Sequence, residues 1–299
     1  MDDASALVAT NTEVNRPLPK LLEPRQVSLR AFGAVIGVEL LAFFTWLATD
    51  LLVLPCAILF AGLFAWTFIR RGNAHKTITA NERARELLDL NRVDEAAALL
   101  DELLASRSTP ANLKPLTAFL RGLVALVKGE HAEARSRLRA VLESGWLANR
   151  RTLQSLAPSV YATACLAATL DGDLEAAASW REQGQRSAAS LDRHWFVADA
   201  FLLARRERWT ELLPTLERNW DAIEGTVSGV GIRQLQLLEA YALTRIAERE
   251  DNYRGVHSGH EITALLHGVR PGRFDYLAVN WPELREFMQA HGLLADRAR

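Results

Sequence analysis

Three histidines in the segment HSGHEITALLH, His257, His260 and His267, come closest to a metal-binding pattern in this sequence. Two histidines one helical turn apart, with a glutamate beside the first, can hold zinc and activate a water molecule. Here Leu265 and Leu266 intervene before His267, so the spacing of a His-Glu-x-x-His motif is not met. We therefore predict no metal site, and an enzyme that uses the His257 region is a third hypothesis behind two non-catalytic ones.

A second candidate is the glycine-rich segment EGTVSGVGIRQ, which contains Gly225, Gly229 and Gly231. A phosphate-binding loop follows a strand and ends in Gly-Lys-Ser or Gly-Lys-Thr, and this segment has neither feature. It is typical of a flexible loop between repeats. No paired carboxylates and no nucleophile with an adjacent base stand out, so we predict neither catalytic residues nor a cofactor.

Charge and cysteine content narrow the class of protein further. The net charge is −1, from 35 basic and 36 acidic residues, which gives no electrostatic reason to expect nucleic acid as a partner. Cys56 and Cys165 are the two cysteines of the chain and lie in apolar surroundings. They indicate small buried side chains, without a disulfide framework.

An apolar tract from Ala31 to Ile69 is the main feature that organises the chain. It is interrupted only by the charged residues Glu39 and Asp50. A single helix of this length would extend about 58 Å, about twice the hydrocarbon thickness of a bilayer. Division at Asp50 gives two segments that can each span the membrane and moves the acid to an interface. We predict a two-pass hairpin turning at Asp50; the alternative is a very apolar hairpin buried in a core.

The basic residues around the tract predict its orientation. They lie on both outer sides and are absent from the middle: Arg16, Lys20, Arg25 and Arg30 before it, and Arg70, Arg71 and Lys76 after it. The positive-inside rule then predicts an integral membrane protein with both termini in the cytoplasm. Glu39, near mid-depth, is either a contact for a partner's membrane helix or polar pathway, or a protonated side chain bonded within the hairpin.

After Lys76 the sequence is helical in period and repeats itself. The segments LLDLNRVDEAAALL, ALVKGEHAEARSRL and ATLDGDLEAAASW align on a turn residue, with a small residue seven positions before it and alanine five positions after it. The turn residues are Asn91, Gly129 and Gly172, the preceding small residues Ala84, Gly122 and Cys165, and the alanines Ala96, Ala134 and Ala177. A weaker fourth copy has Ala200, Glu207 and Leu212 at these positions.

This pattern resembles the tetratricopeptide repeat, a pair of antiparallel helices about 34 residues long. In that family the eighth and twentieth positions are small because the two helices touch there, and glycine near the fifteenth ends the first helix. Independently of the family, a larger side chain at a close crossing would separate the backbones, and glycine or asparagine supplies a left-handed cap. A generic helical repeat of the same architecture stays open as an alternative, and the order of elements is similar to bacterial inner-membrane repeat proteins.

We therefore predict an all-α chain in which a two-helix membrane hairpin precedes a superhelical repeat domain. The predicted units are a mobile cytoplasmic tail (1–28), the hairpin (29–71), the repeats (72–222), and a degenerate repeat with capping helices (223–299). Within the last unit, Pro282 and Gly292 should begin and end a capping helix.

The resemblance also implies which residues line the concave surface of the repeats. Those that could bind a partner are Arg85, Phe119, Leu123, Leu166, Val197 and Phe201. A largely apolar groove would accept an amphipathic helix or hydrophobic peptide; the alternative is that these side chains pack inside a tightly wound solenoid or against the C-terminal helix.

Two functional hypotheses follow. The first is a membrane-anchored scaffold that binds a protein, itself membrane-associated, at the cytoplasmic face. The second is a non-catalytic subunit or regulator of a membrane enzyme or transporter that acts through the hairpin and Glu39. Membrane lipid is a partner in both, and an oligomer is compatible with both.

Overall fold

The computed structural model of the chain describes residues 21, 33, 36–41, 43–44, 53–149, 154–187, 195–249 and 259–295. Every regular element within these residues is a helix, which confirms the all-α fold class. The α-helices are α1 (Val53–Asp89), α2 (Val93–Ala105), α3 (Lys114–Val127), α4 (His131–Glu143), α5 (Trp146–Asn149), α6 (Ala157–Asp171), α7 (Leu174–Ser187), α8 (Phe196–Arg205), α9 (Trp209–Thr226), α10 (Gly229–Arg249), α11 (Gly259–Leu266) and α12 (Pro282–Ala290). A 3-10 helix, Asp275–Ala278, precedes α12.

The four predicted turns share one backbone geometry. Their turn residues have positive φ angles: 62° at Asn91, 78° at Gly129, 88° at Gly172 and 56° at Glu207. In each turn the amide of the next residue donates to the carbonyl five residues earlier, as from Glu130 to Ala125 at 2.9 Å. This left-handed cap satisfies carbonyl groups that the end of a helix leaves free. The cap predicted from asparagine or glycine is confirmed at Asn91, Gly129 and Gly172, and the structure shows it at Glu207 as well.

The small residues around these turns are where helices touch. Ala84, Ala96, Ala134, Cys165 and Ala177 have no exposed surface. Each pair of helices, α1 with α2, α3 with α4, α6 with α7 and α8 with α9, is joined by two or three residues and makes an extensive contact. Short connections of this kind make the paired helices antiparallel. The burial of these small residues is consistent with close packing between the paired helices.

Gly122 gives a test of the crossing between α3 and α4. A Cβ atom there would lie 3.1 Å from Cδ2 of Leu138, whereas a Cβ at Gly225 in α9 would meet nothing within 4 Å. Alanine is favoured over glycine inside a helix by about 0.5 to 1 kcal/mol. We expect Gly225→Ala to raise the free energy of unfolding by that amount, and the clash in Gly122→Ala to cancel the gain. Urea unfolding of both variants measures this; an equal gain in both would contradict close packing at Gly122.

Successive pairs pack on one another, and the order of packing changes along the chain. Helix α2 lies against α3 and α4 lies against α6, so the second helix of each early pair contacts the first helix of the next. From α6 onward the first helices stack directly, α8 on α6 and α10 on α8. Helices α10 and α11 form the predicted degenerate pair. The predicted capping helix is α12, with Pro282 in its first turn and Gly292 in the left-handed region beyond its end.

The predicted boundary at residues 71 and 72 falls inside a helix. Helix α1 runs without interruption from Val53 to Asp89, through Gly72, and its last part is the first helix of the first pair. The apolar first part of α1, residues 53–69, is called the apolar arm below. It is therefore joined to the helix pairs by regular helix rather than by a loop. Asp50 lies outside the described residues, as does the predicted tail except for Leu21, which packs against the core.

Candidate functional site

The six residues predicted to bind a partner are distributed over α1, α3, α6 and α8, the first helices of the four pairs. Arg85 is exposed, and Leu123 and Val197 are half-buried. Phe119, Leu166 and Phe201 are buried among residues of the same chain. A partner that binds this surface without displacing part of the protein can reach only the first three side chains.

An aromatic cluster at the C-terminal end of the chain covers Phe201. The ring of Trp281 meets the ring of Phe201 edge-on at 6.4 Å between centroids, and Tyr241 contacts Trp281 at 5.7 Å and Phe287 at 5.5 Å. The guanidinium of Arg205 lies over the Trp281 ring, 4.7 Å from its centroid. Aromatic pairs in this geometry add stability beyond the area that they bury. Trp281 thus joins α8, α10 and α12.

The residues leading to α12 cross the turns of the helix pairs, and we call residues 273–283 the C-terminal strap. At the first turn, Nη2 of Arg273 donates to the carbonyl of Asp89 at 3.0 Å. At the third, Nδ2 of Asn280 donates to Oδ1 of Asp171 at 3.1 Å, and at the fourth, Nη2 of Arg205 donates to the carbonyl of Asn280 at 2.8 Å. The strap therefore meets these turns in the order in which they occur along the chain.

At the second turn the strap packs directly against Gly129. A Cβ atom on Gly129 would lie 2.6 Å from Cγ2 of Val279 and 3.7 Å from Cα of Tyr276. The Tyr276 side chain is buried, and its hydroxyl accepts a hydrogen bond from Nε2 of Gln234 at 2.5 Å. Burial raises the pKa of Tyr276 to about 12, so the hydroxyl stays protonated. Glycine at position 129 thus serves both the turn and the strap.

His131 lies buried beneath the strap at the start of α4. The backbone of Tyr276 is next to its ring, yet neither ring nitrogen makes a hydrogen bond among the described residues. Burial lowers the pKa of His131 below the 6.5 of a free imidazole, and the nearby carboxylate of Asp171 opposes this shift. The folded protein therefore disfavours the charged form of the His131 ring, which lies where the strap meets the helix pairs.

The pKa of His131 predicts how stability depends on pH. Because the unfolded chain takes up a proton more readily than the folded one, stability is full above pH 6.5 and falls as the pH drops below that value. We expect the Tm of the wild-type protein to fall between about pH 7.5 and about pH 5.5. His131→Leu lacks the titrating group and should show a smaller fall. Equal falls in the two proteins would contradict the prediction.

Buried charges elsewhere hold helices together. The side chain of Arg121 is 1% exposed; its Nε donates to Oδ1 of Asp101 at 2.9 Å, and its Nη2 lies 3.5 Å from Oε1 of Glu133. Glu133 also pairs with Arg137 at 2.7 Å. The network joins α2, α3 and α4.

Cys165 behaves as the small buried residue that the sequence indicates. It is fully buried at the crossing in α6, and burial, reinforced by the carboxylate of Asp199, raises the pKa of its thiol to about 12. A thiol in that state is a poor nucleophile and a poor metal ligand. No cluster of three metal-ligating side chains occurs in the part of the chain that the structure describes. His257 lies outside those residues, and so does the side chain of His260.

The apolar arm of α1 contrasts with this packed interior. Phe60, Phe64 and Phe68 are 76%, 74% and 72% exposed, and the rings of Phe64 and Phe68 stack at 6.4 Å. Trp66 and Ile69 are also exposed. Trp66 projects from the opposite side of the helix, since two residues correspond to about 200° of rotation. The arm is therefore apolar around its circumference, and these side chains are exposed among the described residues.

Two further predictions, on Glu39 and on membrane-spanning helices, concern the N-terminal part of the chain. Residues 36–41 are helical and Glu39 is exposed there. Among the described residues, no helix combines the length and the apolar character that crossing a membrane requires. Comparison with known proteins adds no assignment: no protein-family model, no curated protein and no solved structure matches this chain.

The strap and its contacts were missed by reasoning from sequence. Arg205, His131 and Trp281 are separated by tens of residues and carry no shared motif. One available signal was the aromatic content of the segment RFDYLAVNWPEL, which supplies Phe274, Tyr276 and Trp281. Such a density of aromatic residues just before a helix indicates a segment that packs on another surface.

Proposed function

We propose that this protein is a membrane-anchored scaffold, in which the apolar tract of residues 29–71 anchors a tetratricopeptide-like repeat domain that binds another protein at the cytoplasmic face of the membrane. The observation that supports this most is the exposed apolar arm of α1 and its continuation as the first helix of the repeats. A helix that carries exposed apolar side chains on all sides, among the residues that the structure describes, suits a hydrocarbon environment. Continuous helix would hold the repeat domain at a set distance from that anchor.

The accessible part of the predicted partner surface suggests where to test binding. Arg85 and Val197 extend from α1 and α8, and neither substitution below removes a fully buried side chain. We expect Arg85→Glu with Val197→Asp to abolish recovery of a partner that wild-type protein retains on affinity purification from detergent. Arg107→Glu, at an exposed position before α3, is the matched control and should retain it. Retention by the double variant would exclude this surface.

The second candidate function is a subunit or regulator of a membrane enzyme or transporter, which acts through the hairpin. It is favoured by the exposure of the Glu39 side chain on helical residues 36–41. An acid in an apolar membrane segment is costly unless another polar group satisfies it. Glu39→Gln should then disrupt the complex while the Arg85 and Val197 variant leaves it intact. The opposite pattern would favour the scaffold.

A further inference from the structure

The two helical turns that follow the apolar arm carry a cluster of cations, Arg70, Arg71 and Lys76, which we call the basic collar. All three side chains are exposed. They are spread around the helix, because Arg71 lies about 100° and Lys76 about 240° from Arg70. Between Asp50 and Glu82 the sequence contains no acidic residue. The collar is therefore a band of positive charge that extends over about 9 Å of α1.

The collar differs from the paired cations that follow it in sequence. Within the described residues, no ion pair involves a member of the collar, whereas Arg83 pairs with Glu86 at 2.8 Å and Arg92 with Glu95 at 2.6 Å. The Arg70 guanidinium lies over the ring of Trp66, 5.1 Å from its centroid. Tryptophan one turn before arginine is the order found where a helix passes from hydrocarbon to the headgroup region.

We propose that the basic collar binds the phosphate groups of anionic phospholipids. The ligand is the headgroup layer of a bilayer, since the collar directly adjoins an apolar arm that free phosphate would leave uncovered. A band on all sides of α1 fits a helix that passes through the headgroup layer. A helix lying flat on the surface would carry its cations on one face. This inference rests on the proposed membrane anchor and adds to it the class of lipid.

The magnitude of the expected effect follows from the charge. Each basic residue near an anionic surface favours association by about fivefold, so the collar as a whole supplies a preference on the order of a hundredfold at low salt. The preference should fall when salt is raised, because screening shortens the range of the attraction. The apolar arm does not distinguish between charged and neutral headgroups. Retention of the protein in vesicles and its selectivity for anionic lipid are therefore separate measurements.

The experiment reconstitutes the full-length protein into phosphatidylcholine vesicles that contain a trace of either spin-labelled phosphatidylglycerol or spin-labelled phosphatidylcholine. Electron spin resonance then gives the fraction of each lipid immobilised by protein, and a high-salt wash tests whether the protein stays with the vesicles. The test variant is Arg70→Gln, Arg71→Gln, Lys76→Gln. The control variant, Arg107→Gln, Arg218→Gln, Arg270→Gln, makes the same change in net charge at exposed positions outside α1.

We expect the wild-type protein and the control variant to immobilise phosphatidylglycerol preferentially, and the collar variant to lose that preference while it remains in the vesicles. Retention without lipid preference in the wild type, or equal loss in both variants, would overturn the collar and leave the anchor standing. Loss of wild-type protein in the wash would remove the anchor and the collar together. Cross-linked oligomers with no immobilised lipid would assign the arm to a second copy of the chain and also overturn the proposal.

Discussion

Replacing Trp281 with alanine is expected to lower the free energy of unfolding by about 3 to 5 kcal/mol, the range for removal of a large buried aromatic side chain. The side chain is 3% exposed and contacts Phe201, Tyr241 and Arg205. Its loss leaves a cavity between α8 and α10 and frees the strap at the fourth turn. Hydrogen exchange of the strap amides should accelerate more than that of α3 or α4, because the strap loses its largest anchor.

Trp220 provides the matched control for this substitution. It is half-buried in α9, where its Nε1 donates to Oε1 of Glu224 at 2.9 Å. Trp220→Ala removes the same atoms from a position at the surface, so we expect a loss of about 1 kcal/mol or less and unchanged exchange in the strap. Similar losses in both variants, measured by urea unfolding, would contradict the role assigned to Trp281.

The substitution Gly129→Ala is expected to destabilise the protein through two separate effects. Both Gly129 and Gly172 have positive φ, which costs a residue with a Cβ atom about 1 to 2 kcal/mol. At Gly129 the added Cβ would also lie 2.6 Å from Cγ2 of Val279, whereas at Gly172 the nearest neighbour is Nη2 of Arg205 at 3.7 Å. Overpacking of this kind adds about 1 to 3 kcal/mol.

The difference between Gly129→Ala and Gly172→Ala therefore isolates the contact of the strap. A second comparison sharpens the result: in a Val279→Ala background the clash has no partner, and the penalty at Gly129 should fall to that at Gly172. The free energy of unfolding in urea measures each variant. If Gly129→Ala and Gly172→Ala cost the same in the wild-type background, the strap does not rest on the second turn.

These results bear on how the predicted partner surface is to be tested. The repeat pattern predicts Phe201 on the concave surface, so Phe201→Asp would be the substitution expected to disrupt partner binding. Its side chain is fully buried and in contact with Trp281. Phe201→Asp would place a carboxylate in the core and unfold that region, whether or not a partner binds. Arg85, Leu123 and Val197 are the members of the set that can report on binding without this complication.

Sequence alone determined the features that depend on neighbouring residues. The helical period of the apolar residues predicted an all-α chain, and the turn residues Asn91, Gly129 and Gly172 predicted left-handed caps that the backbone has there and also at Glu207. The small residues Ala84, Gly122 and Cys165 predicted close packing between paired helices, and all three are buried. A cap and a close crossing each depend on residues within one helix pair, so the sequence of that pair is enough to predict them.

Only the tertiary structure decided which side chains are buried and which segments cover them. The strap joins Arg273 to a carbonyl at Asp89, and Asn280 to Asp171, across more than a hundred residues in each case. No period or spacing encodes such contacts, because they depend on the accumulated rotation of every helix between them. The same limit applies to the apolar groups of the chain. Phe201 and Phe64 are equally apolar in sequence, yet one is buried by the strap and the other is exposed on α1.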